Sequence, residues 1–260
     1  MNNLVKFYAR PKLNSPVMLA SWPGISNVSM IVATYLIRKL DFKKLAEIDA
    51  SRFFDPIGVV VENNVVESPH FPQSKFYYWK NKGEGSDIIL FIGEDQPATK
   101  GYELANCVLD VALRFQAKRI YTCAAALTRI HHTEESRTWG VATNQQVAED
   151  LGKYDLVRGD NLHIAGLNGL LLGAAKERDI EGICLLGEVP MYATRIQNPV
   201  AALSILKVLT KVLDIEIDMA ELAQLARETK EKMKQAAAAA MGEYIDYFTE
   251  PIWEHGEEEE

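Results

Sequence analysis

Residues 166–190 read GLNGLLLGAAKERDIEGICLLGEVP, and this stretch decides the fold. The first half predicts a turn that leads into a helix over residues 169–178 and contains three glycines, Gly166, Gly169 and Gly173. Because glycine has no Cβ atom, the first two allow a tight turn with close backbone approach, and the third allows the helix to lie near a sheet. The apolar run at 182–187 predicts a strand. The stretch is therefore typical of a helix that leads into a sheet.

The same alternation of apolar runs and helical patterns extends from this stretch towards both ends of the chain. Predicted strands cover residues 17–20, 56–62, 87–93, 119–124, 162–165 and 182–187. Predicted helices cover residues 25–40, 102–113, 144–151, 169–178 and 199–213. We therefore expect a three-layer α/β/α domain with a mostly parallel central sheet.

The last part of the chain has a different pattern. Residues 219–248 contain no strand pattern and carry apolar residues near helical spacing, which predicts a long helix or a helical pair. Such a helix cannot bury itself, so it either packs across the domain or meets another subunit. We divide the chain into an α/β core over 1–213, a helical extension of the same domain over 214–250, and a disordered acidic tail over 251–260.

Composition excludes several classes of protein. The 260-residue chain has 48% hydrophobic residues, which is typical of a globular protein. Its net charge of -8 has the wrong sign for a general nucleic-acid binder. No stretch has the length of a membrane span or the apolar core of a signal peptide. Cys107, Cys123 and Cys184 are far apart and are expected to be buried, reduced thiols. We expect a cytoplasmic protein that binds neither nucleic acid nor membranes.

Two glutamates follow similar strand ends, in LFIGEDQP at 90–97 and LLGEVP at 185–190. Ligands bind at the carboxyl edge of open parallel sheets, so Glu94 and Glu188 could converge on one crevice as an acid/base pair or as ligands to a cation. The alternative is that both are loop or helix-start residues that accept backbone N–H groups. The sequence leaves both interpretations open.

The turn SWPG at 21–24 could present backbone N–H groups to a phosphate or carboxylate. Trp22 is either an exposed contact residue or part of the core, and Asn27 is expected to bond locally to the backbone. No nucleotide-binding glycine motif and no G-x-S-x-G elbow occurs. His131 and His132 lack metal-ligand spacing and are expected in a surface loop. We therefore expect neither a metal nor a cofactor.

Several of these motifs together resemble the proteasome assembly chaperone family, in its archaeal and bacterial members of the chaperone-2 type. The 166–190 block is the most specific part, and the resemblance spans residues 15–215. The other matching residues are Trp22-Pro23-Gly24 with Asn27, Glu94-Asp95-Gln96-Pro97, and Pro199 with Ala201-Ala202.

The resemblance implies a fold similar to that of nucleoside phosphorylases, assembly into homo-oligomers (trimers or tetramers), and a non-enzymatic role in binding proteasome subunits. The candidate binding residues, taken from the predicted strand ends and turns, are Trp22, Gly24, Asn27, Glu94, Gln96, Gly166, Gly169 and Glu188. Some related chaperones dock through a C-terminal hydrophobic-Tyr-any tripeptide, whereas residues 258–260 here are all glutamate. The alternative is an enzyme of nucleoside phosphorylase/hydrolase-like or ATP-dependent ligase type, acting on a small anionic substrate at the carboxyl edge of the sheet.

Overall fold

A computed structural model describes residues 4–56, 58–159 and 162–249, with side chains as far as residue 238 apart from that of residue 236. The strands are β1 Val5–Phe7, β2 Val17–Ser21, β3 Lys43–Ile48, β4 Val61–Glu62, β5 Val65–Val66, β6 Ser74–Trp79, β7 Ile88–Gly93, β8 Arg119–Thr128, β9 Thr138–Ala142 and β10 Glu181–Pro190. The helices are α1 Val28–Lys39, α2 Gly101–Arg114, α3 Gln145–Asp150, α4 Gly166–Glu177, α5 Pro199–Leu213 and α6 Ala220–Thr249.

Eight of the strands form one mixed sheet in the order β1-β3-β6-β7-β2-β8-β10-β9. The inner strands β7, β2, β8 and β10 are parallel to one another, whereas the flanking pairs are antiparallel. The prediction of an α/β protein is therefore confirmed, and its parallel part is the centre of the sheet. The flanking strand β3 escaped prediction because charged residues interrupt its apolar ones in KKLAEI.

Helices cover both faces of the sheet. Leu104 of α2 and Leu171 of α4 pack in one core cluster with Phe91 of β7. The neighbouring residue of that strand, Leu90, points the other way and packs in a second cluster that includes residues of α1 and α5. Consecutive strand residues point to opposite faces, so β7 is buried on both sides, as its almost uniformly apolar sequence requires.

Two predicted strands are wrong. The apolar run at 56–62 does not enter the sheet, because Asn63 and Asn64 both adopt positive φ angles (50° and 62°) and turn the chain into the small hairpin β4–β5. Residues 162–165 do not form a strand because β8 and β10 pair directly over ten residues, which leaves no space between them. That segment instead crosses the carboxyl edge of the sheet, and α4 begins at Gly166 and not at 169.

The first part of α6 packs across the domain. Leu222 and Met233 are each only 2% exposed, and the hydroxyl of Tyr35 donates a hydrogen bond to the carbonyl oxygen of Asp218 just before the helix. Of the two arrangements left open by the sequence, packing across the domain therefore holds for this part of the helix. Within the described ranges, no helix is long and apolar enough to cross a membrane.

Candidate functional site

A cleft of about 570 Å³ opens at the carboxyl ends of the inner strands, between the end of β8, the segment 162–165 and the N-terminus of α4. We call it the carboxyl-edge cleft. Three of the predicted site residues, Gly24, Gln96 and Gly166, line it. The structure therefore brings the two predicted glycine turns to one opening at the sheet edge, where ligands of α/β proteins bind.

Gln96 connects these two turns. Its Nε2 atom donates a hydrogen bond to the carbonyl oxygen of Pro23, and its Oε1 atom accepts one from the backbone N–H of Leu167 at 2.8 Å. Gly166 has a φ of +72°, and a Cβ atom there would lie 2.6 Å from Oε1 of Gln96. Glycine at 166 is therefore required both by the backbone angle and by the position of the Gln96 side chain.

The other two glycines of the block differ from each other. A Cβ atom at Gly169 would overlap the carbonyl oxygen of Ile164, so here the helix and the preceding segment approach closely. At Gly173 a Cβ atom would meet nothing within 4 Å, and the residue is exposed. The expectation that Gly173 allows the helix to lie near the sheet is wrong, because this residue faces away from it.

Trp22 is fully buried, with none of its surface exposed. Its ring centroid lies 4.9 Å from that of Phe91, and a Cβ atom at Gly93 would overlap the indole ring. Of the two readings of Trp22, the structure therefore supports core packing. Trp22 is not among the residues that line the carboxyl-edge cleft.

Asn27 precedes α1 with a φ of 55°, and its side chain makes no capping hydrogen bond. The expected local bond to the backbone is therefore wrong, and asparagine suits the position because it tolerates a left-handed backbone better than most residues. The preceding Ser26 also has a positive φ (52°), and its hydroxyl donates to the carbonyl oxygens of Ala193 and Thr194. These bonds tie the turn to the segment after β10.

The two predicted carboxylates do not meet. Glu94 is exposed, and its Oε2 atom accepts a hydrogen bond from the backbone N–H of Gln73 at 2.8 Å. Glu188 is only 2% exposed and accepts from the backbone and guanidinium of Arg137 and from the indole N–H of Trp139, at 3.0 to 3.2 Å. Their strands are separated by β2 and β8, and neither residue lines the cleft. The convergence of the two glutamates on one crevice is therefore wrong.

The environment of Glu188 is that of a structural ion pair. Burial alone would raise the pKa of its carboxyl, but the hydrogen bonds from Arg137 and Trp139 outweigh burial and lower the pKa below its ordinary value. The carboxylate is therefore charged at neutral pH and fully engaged, which makes it a poor general acid. Arg137 could not be recognised as its partner from the sequence, because 51 residues separate the two.

A polar cluster in and beside the cleft was missed by sequence reasoning: Ser29 and Asn168 line the cleft, and Ser21 lies behind Ser29. The hydroxyls of Ser21 and Ser29 are hydrogen bonded at 2.6 Å, and Ser29 donates to Oδ1 of Asn168 at 3.5 Å. The three are all buried. Their only sequence signal is a position at a strand end or in the first turn of a helix. They form a neutral polar cluster with no strong acid or base.

The side chains that line the cleft are mainly apolar. Its rim has three exposed aliphatic side chains, Ile25, Leu127 and Leu162. Among the described lining residues, His163 alone has a titratable side chain. Such a cleft can hold an apolar group, and Ser29 and Asn168 can orient a polar group attached to it by hydrogen bonds.

A metal site has no support within the described ranges, where no group of three or more His, Cys, Asp or Glu side chains could hold an ion. His131 is exposed, as expected of a surface loop. His132 lies in the same loop, but its side chain is only 8% exposed, and its Nδ1 atom hydrogen bonds with the Tyr192 hydroxyl at 2.9 Å.

Known proteins are similar to this chain in both sequence and fold. Residues 18–237 match the PAC2 family. PbaB of Pyrococcus furiosus, described as an archaeal proteasome activator, is 31% identical, with 90% of this chain and 98% of PbaB covered and a TM-score of 0.76. The uncharacterized protein MJ1210 of Methanocaldococcus jannaschii is 28% identical over 219 residues, which are 83% of this chain and 80% of that protein.

A more distant structure shares the fold. PbaA of Pyrococcus furiosus, described as an archaeal homolog of proteasome-assembly chaperone, is 21% identical, with 95% of this chain and 96% of PbaA covered and a TM-score of 0.68. The resemblance to the proteasome assembly chaperone family is thus confirmed, whereas the likeness to nucleoside phosphorylases stays a prediction. Because the family match spans most of its length, the chain belongs to the PAC2 family.

Proposed function

We propose that this chain is a non-enzymatic, cytoplasmic, homo-oligomeric protein that binds proteasome subunits in a chaperone-like role. One observation carries the proposal: the cleft at the carboxyl edge, where an enzyme of this fold class would hold its substrate, is lined mainly by apolar side chains and by neither predicted carboxylate. The likeness to PbaB, whose description names the proteasome, supports the choice of partner.

The cleft suits an apolar anchor from a protein partner. Protein interfaces derive much of their affinity from a few apolar or aromatic side chains that fill pockets and lose contact with water. The exposed rim residues Ile25 and Leu127 would be covered by such a partner. The polar residues Ser29 and Asn168 would accept or donate hydrogen bonds to the backbone of the inserted segment.

A second surface supports association between copies. The hairpin β4–β5 and the residues before it carry five valines that are each at least 50% exposed, namely Val59, Val60, Val61, Val65 and Val66. A two-stranded hairpin is at best marginally stable by itself in water, and a continuous apolar patch marks an interaction site on most proteins. We assign this hairpin to the contact between copies of the chain.

Among the described residues, no specific contact favours the alternative of an enzyme acting on a small anionic substrate. It is nevertheless directly testable, because a substrate that binds the native state raises the melting temperature by mass action. A thermal-shift screen with nucleotides and nucleosides would reveal such a substrate.

Affinity capture tests the protein partner. The tagged full-length protein is captured from a lysate of its native cells, and the bound proteins are identified by mass spectrometry. Repeated recovery of proteasome α- or β-type subunits is the expected result. The matched control is the double variant Ile25→Asp and Leu127→Asp, which should recover less of these subunits. Recovery that is equal for both proteins would remove the carboxyl-edge cleft from the interface.

A further inference from the structure

A second groove lies on the other side of the sheet, between α5, α6 and residues 135–157, and has a volume of about 730 Å³. We call it the basic groove. It is lined by two acidic side chains, Glu135 and Asp155, and by six basic ones: Arg137, Lys153, Lys207, Lys211, Arg227 and Lys230. The whole chain has a net charge of -8, so this concentration of positive charge does not follow from composition.

Most of these cations lack a carboxylate partner. Arg137 pairs with Glu188 at 3.0 Å. Within the described part of the chain, the other five have no carboxylate oxygen within 4.0 Å. Lys230 donates instead to the carbonyl oxygen of Glu134 at 3.0 Å, and Arg227 to the side-chain oxygen of Gln224. These neutral acceptors leave the positive charge available to an acidic ligand.

The floor of the basic groove is apolar. It is formed by six half-buried side chains, those of Tyr154, Val157, Val200, Leu203, Val208 and Ala223. A ligand that fits the groove therefore needs an apolar side chain for the floor and several carboxylates for the rim. A small inorganic anion would satisfy only the rim, whereas an acidic peptide with an aromatic residue satisfies both.

The chain itself contains such a peptide. Residues 250–260 read EPIWEHGEEEE, with Ile252 and Trp253 followed by five glutamates. We propose that residues 252–260 of a second copy bind in the basic groove, with Trp253 on the apolar floor and the glutamates beside the lysines and arginines of the rim. The acidic segment and the groove are then two halves of one self-recognition site.

The reach of the chain requires that the segment come from another copy. From Lys230 to Thr249 α6 advances by about 28 Å, since a helix rises about 1.5 Å per residue. Trp253 lies four residues beyond Thr249, and even a fully extended chain spans only about 14 Å over that number of residues. The Trp253 side chain of one copy therefore cannot turn back to the floor beside its own Ala223.

This proposal concerns a surface separate from the carboxyl-edge cleft and does not depend on the identity of the protein partner. It does require that copies meet. Light scattering coupled to size exclusion therefore accompanies the experiment, so that loss of association through the valine hairpin and loss of segment binding are recorded separately.

Photocrosslinking of the full-length protein tests the proposal. Trp253 is replaced by the photoreactive p-benzoylphenylalanine, the protein is irradiated, and crosslinked peptides are mapped by mass spectrometry. We expect a two-chain product that joins residue 253 to groove peptides around Leu203 or Ala223, with a yield that falls several-fold at about 0.5 M salt because the ion pairs are screened.

Two variants and a control complete the test. The groove variant K207E/K211E and the segment variant E257Q/E258Q/E259Q/E260Q should each reduce the crosslink by at least about fivefold, because each removes one side of the same charge pairing. The control K43E/K118E reverses two exposed lysines outside the groove and should leave the yield unchanged. The proposal would be overturned by a single-chain crosslink, by a crosslink to residues outside the groove, or by no crosslink. A crosslink yield that is unchanged in both variants would also overturn it.

Discussion

Gly166 and Gln96 are in such close contact that a Cβ atom at Gly166 would lie 2.6 Å from Oε1 of Gln96. The same oxygen accepts the N–H of Leu167, while the amide nitrogen of Gln96 donates to Pro23. A single side chain thus fixes the start of α4 to the turn that follows β2. The stability of the carboxyl-edge cleft should depend on this contact.

We expect Gly166→Ala to lower the free energy of unfolding by about 2 kcal/mol, because a left-handed alanine costs roughly 1–2 kcal/mol and the added methyl group displaces Gln96. Gly169→Ala should cost at least as much, since its methyl group would overlap the Ile164 backbone. Gly173→Ala is the matched control and should stabilise the helix by up to about 1 kcal/mol. Urea unfolding measures all three. Equal stability of the Gly166 and Gly173 variants would contradict this account of the block.

Glu188→Gln should destabilise the protein by about 2 kcal/mol, because the buried side chain loses charge-assisted hydrogen bonds from Arg137 and Trp139. The folded-state pKa of Glu188 is lowered, so its contribution is fully present above the unfolded-state pKa and is lost as pH falls through the folded-state pKa. The wild-type protein should therefore lose more stability than the variant as pH falls below about 4.3.

Glu94→Gln serves as the control for that experiment, since Glu94 is exposed and accepts a single backbone hydrogen bond. Its stability at neutral pH should stay within about 0.5 kcal/mol of the wild-type value. If the Glu94 and Glu188 variants change stability equally, Glu188 is not the structural residue that we describe.

The three thiols should be unreactive in the folded protein. Burial raises the pKa of Cys107 to about 11 and of Cys184 to about 12, and it raises that of Cys123 as well. Since the thiolate is the reactive form, Ellman's reagent at about pH 8 should label none of them quickly, whereas all three should react after denaturation. Rapid labelling of one thiol per native chain would show that its site is open.

Charge on the valine hairpin should disrupt association. The double variant Val61→Asp and Val66→Asp puts two carboxylates into the valine patch. Val61 is 59% exposed and Val66 is 63% exposed. Neither residue packs in the core, so folding measured by circular dichroism should be retained while the mass by light scattering falls below that of the wild-type assembly. Leu113→Asp, at an exposed leucine of α2, is the control and should keep the wild-type mass. An unchanged mass in the hairpin variant would place the contact elsewhere.

The parts of the fold that could be predicted are those recorded in short stretches of sequence. The helix and the strand of the 166–190 block could both be predicted from the residues within that block. Helix α5 occupies the predicted residues 199–213. The hairpin could not be recognised from apolar content, because residues 56–62 read like a buried strand although Asn63 and Asn64 turn the chain back. Apolar content alone does not say whether a strand joins the sheet.

The site was less predictable because its contacts join distant residues. Gln96 was selected for its motif, but its partner Leu167 lies 71 residues away. Glu188 looked like a ligand because it follows an apolar run, and its burial beside Arg137 depends on strand pairing between β9 and β10. The basic groove combines side chains from several segments that lie far apart in the sequence.

The most direct test of the proposed function is a binding measurement between the purified full-length protein and purified proteasome α- and β-type subunits from the same organism, followed by native mass spectrometry. The account predicts a defined complex with proteasome subunits, which weakens by at least about tenfold when Ile25 and Leu127 of the cleft rim are both changed to aspartate. Two results would contradict the account: no complex at concentrations where the chain itself is assembled, or a complex whose affinity is the same for the rim variant as for the wild-type protein.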